Sequence, residues 1–200
     1  MSRAAGVGWK RQEDGLGRLA RGGRSTEHLV TEPSPTTTNK RVLVVGLGND
    51  LLADDAVGVL AAQELETRLA GRADVVATAL HGVALLDVFL GYEQAIVIDA
   101  IQTGQHAPGT VMEIDTSTLR PAASPSPHYV GLPEMLAIAE QLGVEFPKTV
   151  RVFAVEVVDP YTIGGKMTAE VRRAVEEVCQ RVLEAAEELK STPLRPLTLA

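Results

Sequence analysis

The sequence has little cysteine, few aromatic side chains and no long apolar run. Its single cysteine excludes an internal disulfide framework and favours a reducing compartment, so we expect a cytoplasmic protein. No run approaches the roughly 18 apolar residues that a membrane span needs, and the basic N-terminus lacks the apolar stretch of a secretory signal. Aromatics make up only 4% of the chain. That bias is typical of aliphatic strands packed under aliphatic helices, and it disfavours a β-sandwich.

The net charge of −7 is unevenly distributed along the 200 residues. Residues 1–40 hold seven Lys/Arg and four Asp/Glu, a balance of +3, and the remainder holds twelve and twenty-two, a balance of −10. A domain this acidic is a poor nucleic-acid partner, because phosphate neutralisation needs clustered Lys and Arg. We expect no nucleic-acid or membrane partner, and a monomer as the default state.

Three segments follow from the distribution of apolar residues. Residues 1–39 lack hydrophobic periodicity and are rich in Gly, Arg, Ser, Thr and Pro, which predicts a disordered N-terminal extension. One hypothesis places the start of translation at Val30. Residues 40–190 form the predicted domain, and residues 191–200 a flexible tail.

Strand and helix signals alternate through the predicted domain. The strands are expected at residues 42–45, 75–80, 95–100, 110–114 and 150–155, and the helices at residues 54–69, 84–90, 132–142 and from about Thr168, the expected N-cap of the last helix, onward. The fourth strand follows the third too soon for a helical crossover, so it should be antiparallel to its neighbour. The pattern predicts an α/β fold, with a five-stranded, mostly parallel sheet and helices on both faces.

Two adjacent carboxylates open the helix that follows the first strand. Asp54 is expected to be the helix N-cap. Asp55 is either a first-turn acid that the helix dipole favours or a functional group at the carboxyl edge of the sheet. Two acids side by side are costly unless a cation, a proton or a substrate group needs them, which favours function for Asp55.

Two further residues are predicted to reach the same edge. Asp99 closes an apolar strand, where it either faces the crevice or caps the next turn. His128 lies in a proline-rich loop before a helix, a position where a lone histidine is more often an ordinary surface group. Together with Asp55, these side chains are a ligand set that suits a divalent ion such as zinc or nickel.

Four other polar residues carry weaker signals. His81 ends a strand, Glu134 lies one turn into the helix after His128, and Asp159 follows the last strand. All three are expected to be structural or to support the site from behind. Cys179 falls on the apolar stripe of the last helix, so we predict a small core residue without a chemical role.

Three blocks of sequence, in this order, resemble the hydrogenase maturation proteases. The first is residues 46–58, GLGNDLLADDAVG. The second is IDAI at residues 98–101, followed by APGT at residues 107–110, and the third is PHYVGL at residues 127–132. The resemblance extends from about residue 42 to residue 189, and three blocks in one order are far more specific than any single one.

The resemblance implies a fold, an activity and a site. The fold is a three-layer α/β/α sandwich of the phosphorylase/hydrolase-like type. The activity is that of an endopeptidase, of aspartic or metal-assisted type, which removes the C-terminal extension of the nickel-loaded [NiFe] hydrogenase large-subunit precursor. The family's metal-binding and catalytic residues fall on Asp55, Asp99 and His128. They would engage Ni²⁺ that the substrate presents, or hold Zn²⁺ or a similar divalent ion.

One departure and two alternatives accompany the resemblance. Residues 158–167, VDPYTIGGKM, are unlike the better-known members, which implies a different local substrate surface. A nickel checkpoint or chaperone that does not cut would use the same three residues. A peptidyl-tRNA hydrolase-like enzyme shares the Gly-Leu-Gly-Asn turn, but this chain lacks the proline-glycine that follows it there and has the wrong charge for tRNA.

Overall fold

The computed structural model describes residues 42–115, 141 and 143–191. The predicted disordered extension, the predicted helix over residues 132–142 except Gln141, and residues 192–200 of the predicted tail lie outside the described residues. The strands are β1 Val42–Leu47, β2 Ala73–Thr78, β3 Gln94–Ile101, β4 Val111–Ile114 and β5 Thr149–Glu156. The helices are α1 Val57–Arg68, α2 Leu86–Phe89 and α3 Ala169–Ser191, with short 3₁₀ helices at Asp54–Ala56 and Gly82–Leu85.

The five strands form one sheet in the order β2-β1-β3-β5-β4. β1 lies parallel to both β2 and β3, and β3 lies parallel to β5. β4 is antiparallel to β5, as its short connection to β3 predicts. The predicted five-stranded, mostly parallel sheet is therefore confirmed. The carboxyl ends of β1, β2, β3 and β5 meet at one edge.

Several element bounds differ from those predicted. β2 begins at Ala73 and ends at Thr78, so Leu80 lies beyond the strand and is exposed. The cause is its partner strand, because β2 pairs with β1 from Val42 to Leu47 regardless of where the apolar run falls. The predicted helix over residues 54–69 divides into a 3₁₀ turn and α1, and the predicted helix over residues 84–90 divides into a 3₁₀ turn and α2.

Two layers of core cover the two faces of the sheet. α1 and α3 pack on one face, where the apolar stripe of α3 meets side chains such as Ile96 and Ile98. Leu85 and Phe89 of the second 3₁₀ helix and α2 pack on the other face. This arrangement is the expected three-layer α/β/α sandwich. No helix within residues 42–115 and 143–191 combines the length and the apolarity that crossing a bilayer requires.

Cys179 is a core residue, as predicted. It is fully buried in the layer under α1 and α3, and its Sγ lies 3.6 Å from the carbonyl oxygen of Ala61, to which it donates. Burial in this apolar layer raises the pKa of the Cys179 thiol to about 12. The thiol is therefore uncharged and sequestered at neutral pH.

The first turn of α3 departs from the sequence prediction. Thr168 occupies the position before the helix, and its carbonyl oxygen accepts the N–H of Arg172. Its side-chain Oγ1, however, is buried and makes no hydrogen bond with the described part of the chain. The N–H of Thr168 donates instead to Asp54 at 2.7 Å. A carboxylate more than a hundred residues away in sequence therefore organises the start of this helix.

A glycine contact brings α1 against β1. A Cβ placed on Gly58 would lie 2.1 Å from the carbonyl oxygen of Leu47 and 2.7 Å from that of Ile98. A Cβ placed on Gly46 would lie 2.1 Å from the carbonyl oxygen of Gly58. No side chain fits at either position, because real Cβ atoms do not approach backbone oxygens this closely. The two glycines let the start of α1 rest directly on the ends of β1 and β3.

Replacing Gly58 by alanine should therefore separate α1 from the sheet. We expect Gly58→Ala to lower the free energy of unfolding by about 3 kcal/mol, as severe overpacking does, measured by urea denaturation. Gly71→Ala is the matched control, because nothing lies within 4 Å of a Cβ there. That variant should lose only about 1 kcal/mol, the cost of its positive φ. Equal losses in the two variants would contradict the contact.

Candidate active site at the carboxyl edge of the sheet

Asp55 lies in the 3₁₀ turn between β1 and α1, at the carboxyl edge of the sheet. It is almost fully buried, and its Oδ2 accepts the N–H of Asn49 at 2.7 Å. Gly48 permits this contact, because its φ is +144° and a Cβ there would lie 2.0 Å from the carbonyl oxygen of Asp55. The side chain of Asn49 in turn accepts the N–H of Leu51 at 3.0 Å. The motif between β1 and α1 thus folds back on itself and fixes the carboxylate.

Asp54 is not the helix N-cap that its sequence position predicts. Ala53 precedes the 3₁₀ turn, and no side chain caps it. The buried Asp54 carboxylate reaches the segment after β5, where it accepts the N–H groups of Val158, Asp159 and Thr168 at 3.3, 3.1 and 2.7 Å. Three N–H donors stabilise a buried carboxylate because they replace the water it loses. Asp54 therefore ties the β1–α1 turn to the segment that leads into α3.

A cavity of about 260 Å³ opens beside Asp55. The described residues that line it are Asn49, Leu52, Asp55, Ala79, His81, Ala100, Gln102, Val157, Pro160 and Tyr161. Ala100 lies in β3, and the others come from the segments that follow β1, β2, β3 and β5. Open α/β sheets bind ligands at this edge, between the ends of neighbouring strands. The predicted position of the site therefore coincides with a cavity that holds one of its predicted residues.

Asp99 lies one residue from the cavity lining. β3 continues to Ile101, so Asp99 does not end the strand as expected but pairs within it, opposite Ala154 of β5. Its side chain is fully buried, and Oδ1 accepts the N–H of Ala100 at 2.8 Å. The described residues that line the cavity include Ala100 but not Asp99. Asp99 thus stands in the strand beside the cavity, next to the carbonyl of Ile98 against which α1 begins.

His128 and Glu134 lie outside the described residues, so the three-residue metal site stays a prediction. Among residues 42–115 and 143–191, no three His, Cys, Asp or Glu side chains are grouped so as to hold a metal ion. His81 reaches the cavity, as its place after β2 predicts, and it is exposed. Of the predicted site residues that the structure describes, Asp55 lines the cavity and Asp99 lies within β3 beside it.

Asp159 shapes the wall of the cavity. Its Oδ1 accepts the N–H groups of Tyr161 and Thr162 at 3.3 and 3.0 Å. Hydrogen bonds from Thr162, first from its side chain and then from its backbone, hold the pKa of the Asp159 carboxyl below its ordinary value. The carboxylate thus stays ionised and keeps the turn closed, which agrees with the structural role expected for it. Tyr161 lines the cavity as a result.

Glu156 is a buried carboxylate that the sequence prediction missed. It ends β5, and its Oε1 accepts the N–H groups of Thr103 and Gly104 at 2.8 and 2.7 Å. Its Oε2 accepts the hydroxyl of Thr103 at 2.6 Å. These bonds hold the segment after β3, which contributes Gln102 to the cavity. The sequence could have indicated Glu156, because this residue closes an apolar strand, which is the pattern that singled out Asp99.

The link made by Asp54 can be tested by an isosteric change. Asp54→Asn should lower the free energy of unfolding by about 2 kcal/mol, because one of its three N–H donors would then face an amide NH₂ instead of an oxygen. Urea denaturation measures the change. Asp50→Asn, an exposed aspartate four residues earlier, is the control and should stay within about 0.5 kcal/mol of the wild type. A wild-type midpoint for Asp54→Asn would show that the link is dispensable.

Comparisons with known proteins give the same family at the level of sequence and structure. The model of the HycI hydrogenase maturation protease family matches residues 59–185. The Hydrogenase 2 maturation protease of Escherichia coli (strain K12) is 34% identical over 155 residues, which cover 74% of this chain and 92% of that protein. The hydrogenase expression/formation protein HupD of Thiocapsa roseopersicina is 26% identical over 152 residues, which cover 74% of this chain and 68% of that protein.

Solved structures agree with these matches. The hydrogenase maturating endopeptidase HybD from E. coli has a TM-score of 0.59 at 32% identity, over 74% of this chain and 93% of that one. The [NiFe] hydrogenase maturation protease HybD from Thermococcus kodakarensis has a TM-score of 0.57 at 25% identity, over 73% of this chain and 99% of that one. The fold, the sequence identity and the family model therefore converge. This chain belongs to the hydrogenase maturation protease family, and it is a peptidase.

Proposed function

We propose that this protein removes the C-terminal extension of the [NiFe] hydrogenase large-subunit precursor once nickel has been inserted. The single observation that carries the proposal is the position of Asp55. Its carboxylate is buried beside a cavity at the carboxyl edge of the sheet, in a chain of the hydrogenase maturation protease family. Coupling cleavage to nickel requires a site that contacts both the metal and the peptide, and a carboxylate within a peptide-sized cavity supplies that combination.

Nickel enters this proposal as part of the substrate. The residues that would engage it are Asp55, Asp99 and His128. Two carboxylates and an imidazole suit nickel and zinc, since both ions accept mixed oxygen and nitrogen ligands. The burial of both aspartates supports this role, because a carboxylate with little access to water gains much from a cation. A precursor without nickel would offer nothing for these side chains to contact. A Zn²⁺ or similar ion bound there would polarise the scissile carbonyl.

The protein's own groups would position and activate water. Asp55 lines the cavity, so its carboxylate can accept a proton from a water molecule that attacks the peptide bond. The N–H of Asn49 holds one oxygen of that carboxylate at 2.7 Å and so orients the group. Leu52, Val157 and Pro160 supply an apolar wall that limits competing water.

Processing of a client precursor is the direct test. The full chain is co-expressed with a candidate large-subunit precursor, with nickel in the medium or with nickel chelated, and the precursor is then weighed by intact-mass spectrometry. We expect loss of the C-terminal extension only when nickel is present, since the empty precursor lacks the metal that the site engages. Cleavage that does not depend on nickel would contradict the coupling.

Two outcomes identify the alternatives. An unchanged precursor mass together with retained nickel-dependent binding would indicate the nickel checkpoint that does not cut. Salt-dependent tRNA binding would indicate the peptidyl-tRNA hydrolase-like alternative, which the family assignment leaves without support.

Variants of the three proposed site residues should lose nearly all processing activity while remaining folded. We expect Asp55→Asn, Asp99→Asn and His128→Ala each to reduce processing at least about a hundredfold, as the loss of a general base or a metal ligand does. Circular dichroism and thermal unfolding report the fold of each variant. Asp87→Asn and His106→Ala, at exposed positions away from the cavity lining, are the matched controls and should process normally. Normal processing by any two site variants would refute the site.

A further inference from the structure

An exposed apolar surface adjoins the cavity. Among the described residues, six large apolar side chains are exposed: Leu51, Leu80, Leu90, Val158, Tyr161 and Ile163. Two of them, Tyr161 and Ile163, are 70% and 81% exposed and lie two residues apart in the segment that pairs with Leu52. We call these two side chains the apolar ridge. Exposure of this degree at neighbouring positions costs solubility, so it calls for a partner.

Backbone hydrogen bonds hold the apolar ridge together. Leu52 forms an antiparallel bridge with Ile163, and the N–H of Gly164 donates to the carbonyl oxygen of Leu51 at 2.7 Å. The N–H of Ala53 donates to the carbonyl oxygen of Thr162 at 3.0 Å. The Asp54 and Asp159 carboxylates fix the same segment at its base and at its turn. The ridge is therefore preorganised, and a partner that binds it need not order a loose loop first.

The apolar ridge is continuous with the cavity that contains Asp55. Tyr161 belongs both to the ridge and to the cavity lining, and Leu52 lines the cavity while pairing with Ile163. Residues directly opposite each other in an antiparallel bridge place their side chains on the same face. An extended segment that enters the cavity at Asp55 would therefore pass along Tyr161 and reach Ile163 without leaving the surface.

The cavity size and the charges define the occupant. About 260 Å³ lies below the usual range of small-molecule pockets, so it suits side chains of an extended peptide rather than a folded element. The described residues of the lining include Asp55 and no Lys or Arg, so an acidic segment would meet like charge there and is disfavoured.

We infer that the apolar ridge docks an apolar, non-acidic extended segment of the large-subunit precursor, next to the peptide bond that is cut. This inference rests on the proposed function and adds the surface that selects the substrate. It gives a role to the segment over residues 158–167. The ridge binds and positions the client, while the chemistry stays with the groups at the cavity.

Kinetics of the full chain on nickel-loaded precursor test the inference. Ile163→Ser should raise KM about tenfold and leave kcat unchanged, because docking would no longer bury the isoleucine side chain. Ile163→Val, which keeps an aliphatic side chain, should retain most of the affinity. Leu90→Ser is the matched control, since Leu90 is an exposed leucine four residues before β3, at the amino edge of the sheet. Thermal unfolding should be unchanged in all of these variants, as the side chains are exposed.

The possible outcomes separate this inference from the proposed function. A wild-type KM in Ile163→Ser would overturn the docking surface alone. Absence of processing by the wild type would overturn the proposed function. Docking can still be measured in that case, as the dissociation constant of nickel-loaded precursor for the full-length Asp55→Asn variant, which should rise about tenfold when Ile163→Ser is added. Concentration-dependent self-association that Ile163→Ser abolishes would assign the ridge to a second copy of the chain and overturn the inference.

Discussion

The contact between the start of α1 and the ends of β1 and β3 is the constraint on which the site depends. Gly46 and Gly58 let two backbones meet where any side chain would collide with a carbonyl oxygen. The 3₁₀ turn before α1 is consequently pressed onto the carboxyl edge of the sheet, and Asp55 with it. A looser junction would leave that carboxylate in solvent, where its charge would be screened and its position undefined.

Asp54, Asp55 and Glu156 are buried carboxylates near the cavity that have different structural roles. Asp54 binds the segment that leads into α3, and Glu156 binds the segment after β3. Each accepts three donors from the protein, so each serves to place a wall of the cavity. Asp55 is the carboxylate that lines the cavity itself. Asp54 and Glu156 thus hold backbone segments in place, whereas Asp55 faces the cavity in which we propose that the substrate binds. Asp99 adds a fourth buried acid in the strand beneath.

The sequence predicted the sheet well because its signals are local. The apolar runs of β1, β3 and β5 and the short connection before β4 are each readable within a few residues. The role of Asp54 was not predictable in this way, since its three partners lie more than a hundred residues downstream. The rule that favours an acid as N-cap uses only neighbouring positions. The same local rule makes Thr168 the N-cap of α3, yet its Oγ1 makes no hydrogen bond with the described residues and its N–H donates to the distant Asp54 carboxylate.

The candidate site was predictable in part. Asp55 could be placed because strand, glycine turn and helix specify the carboxyl edge of the sheet from one short motif. Asp99 lies in the predicted strand but does not end it, because pairing with β5 extends β3 to Ile101. Tyr161 gave no signal in the sequence. It reaches the cavity only because Asp159 closes a turn and Leu52 pairs with Ile163, and both contacts depend on tertiary structure.

The burial of Cys179 keeps its sulfur away from any metal ion at the surface. Thiolate is the softest ligand this chain owns, and it would hold nickel more avidly than carboxylate or imidazole oxygen and nitrogen donors. That sulfur is enclosed between α1 and α3 and remains protonated far above neutrality. In the function that we propose, the site could therefore contact nickel held by the substrate while the thiol stays out of reach of that ion.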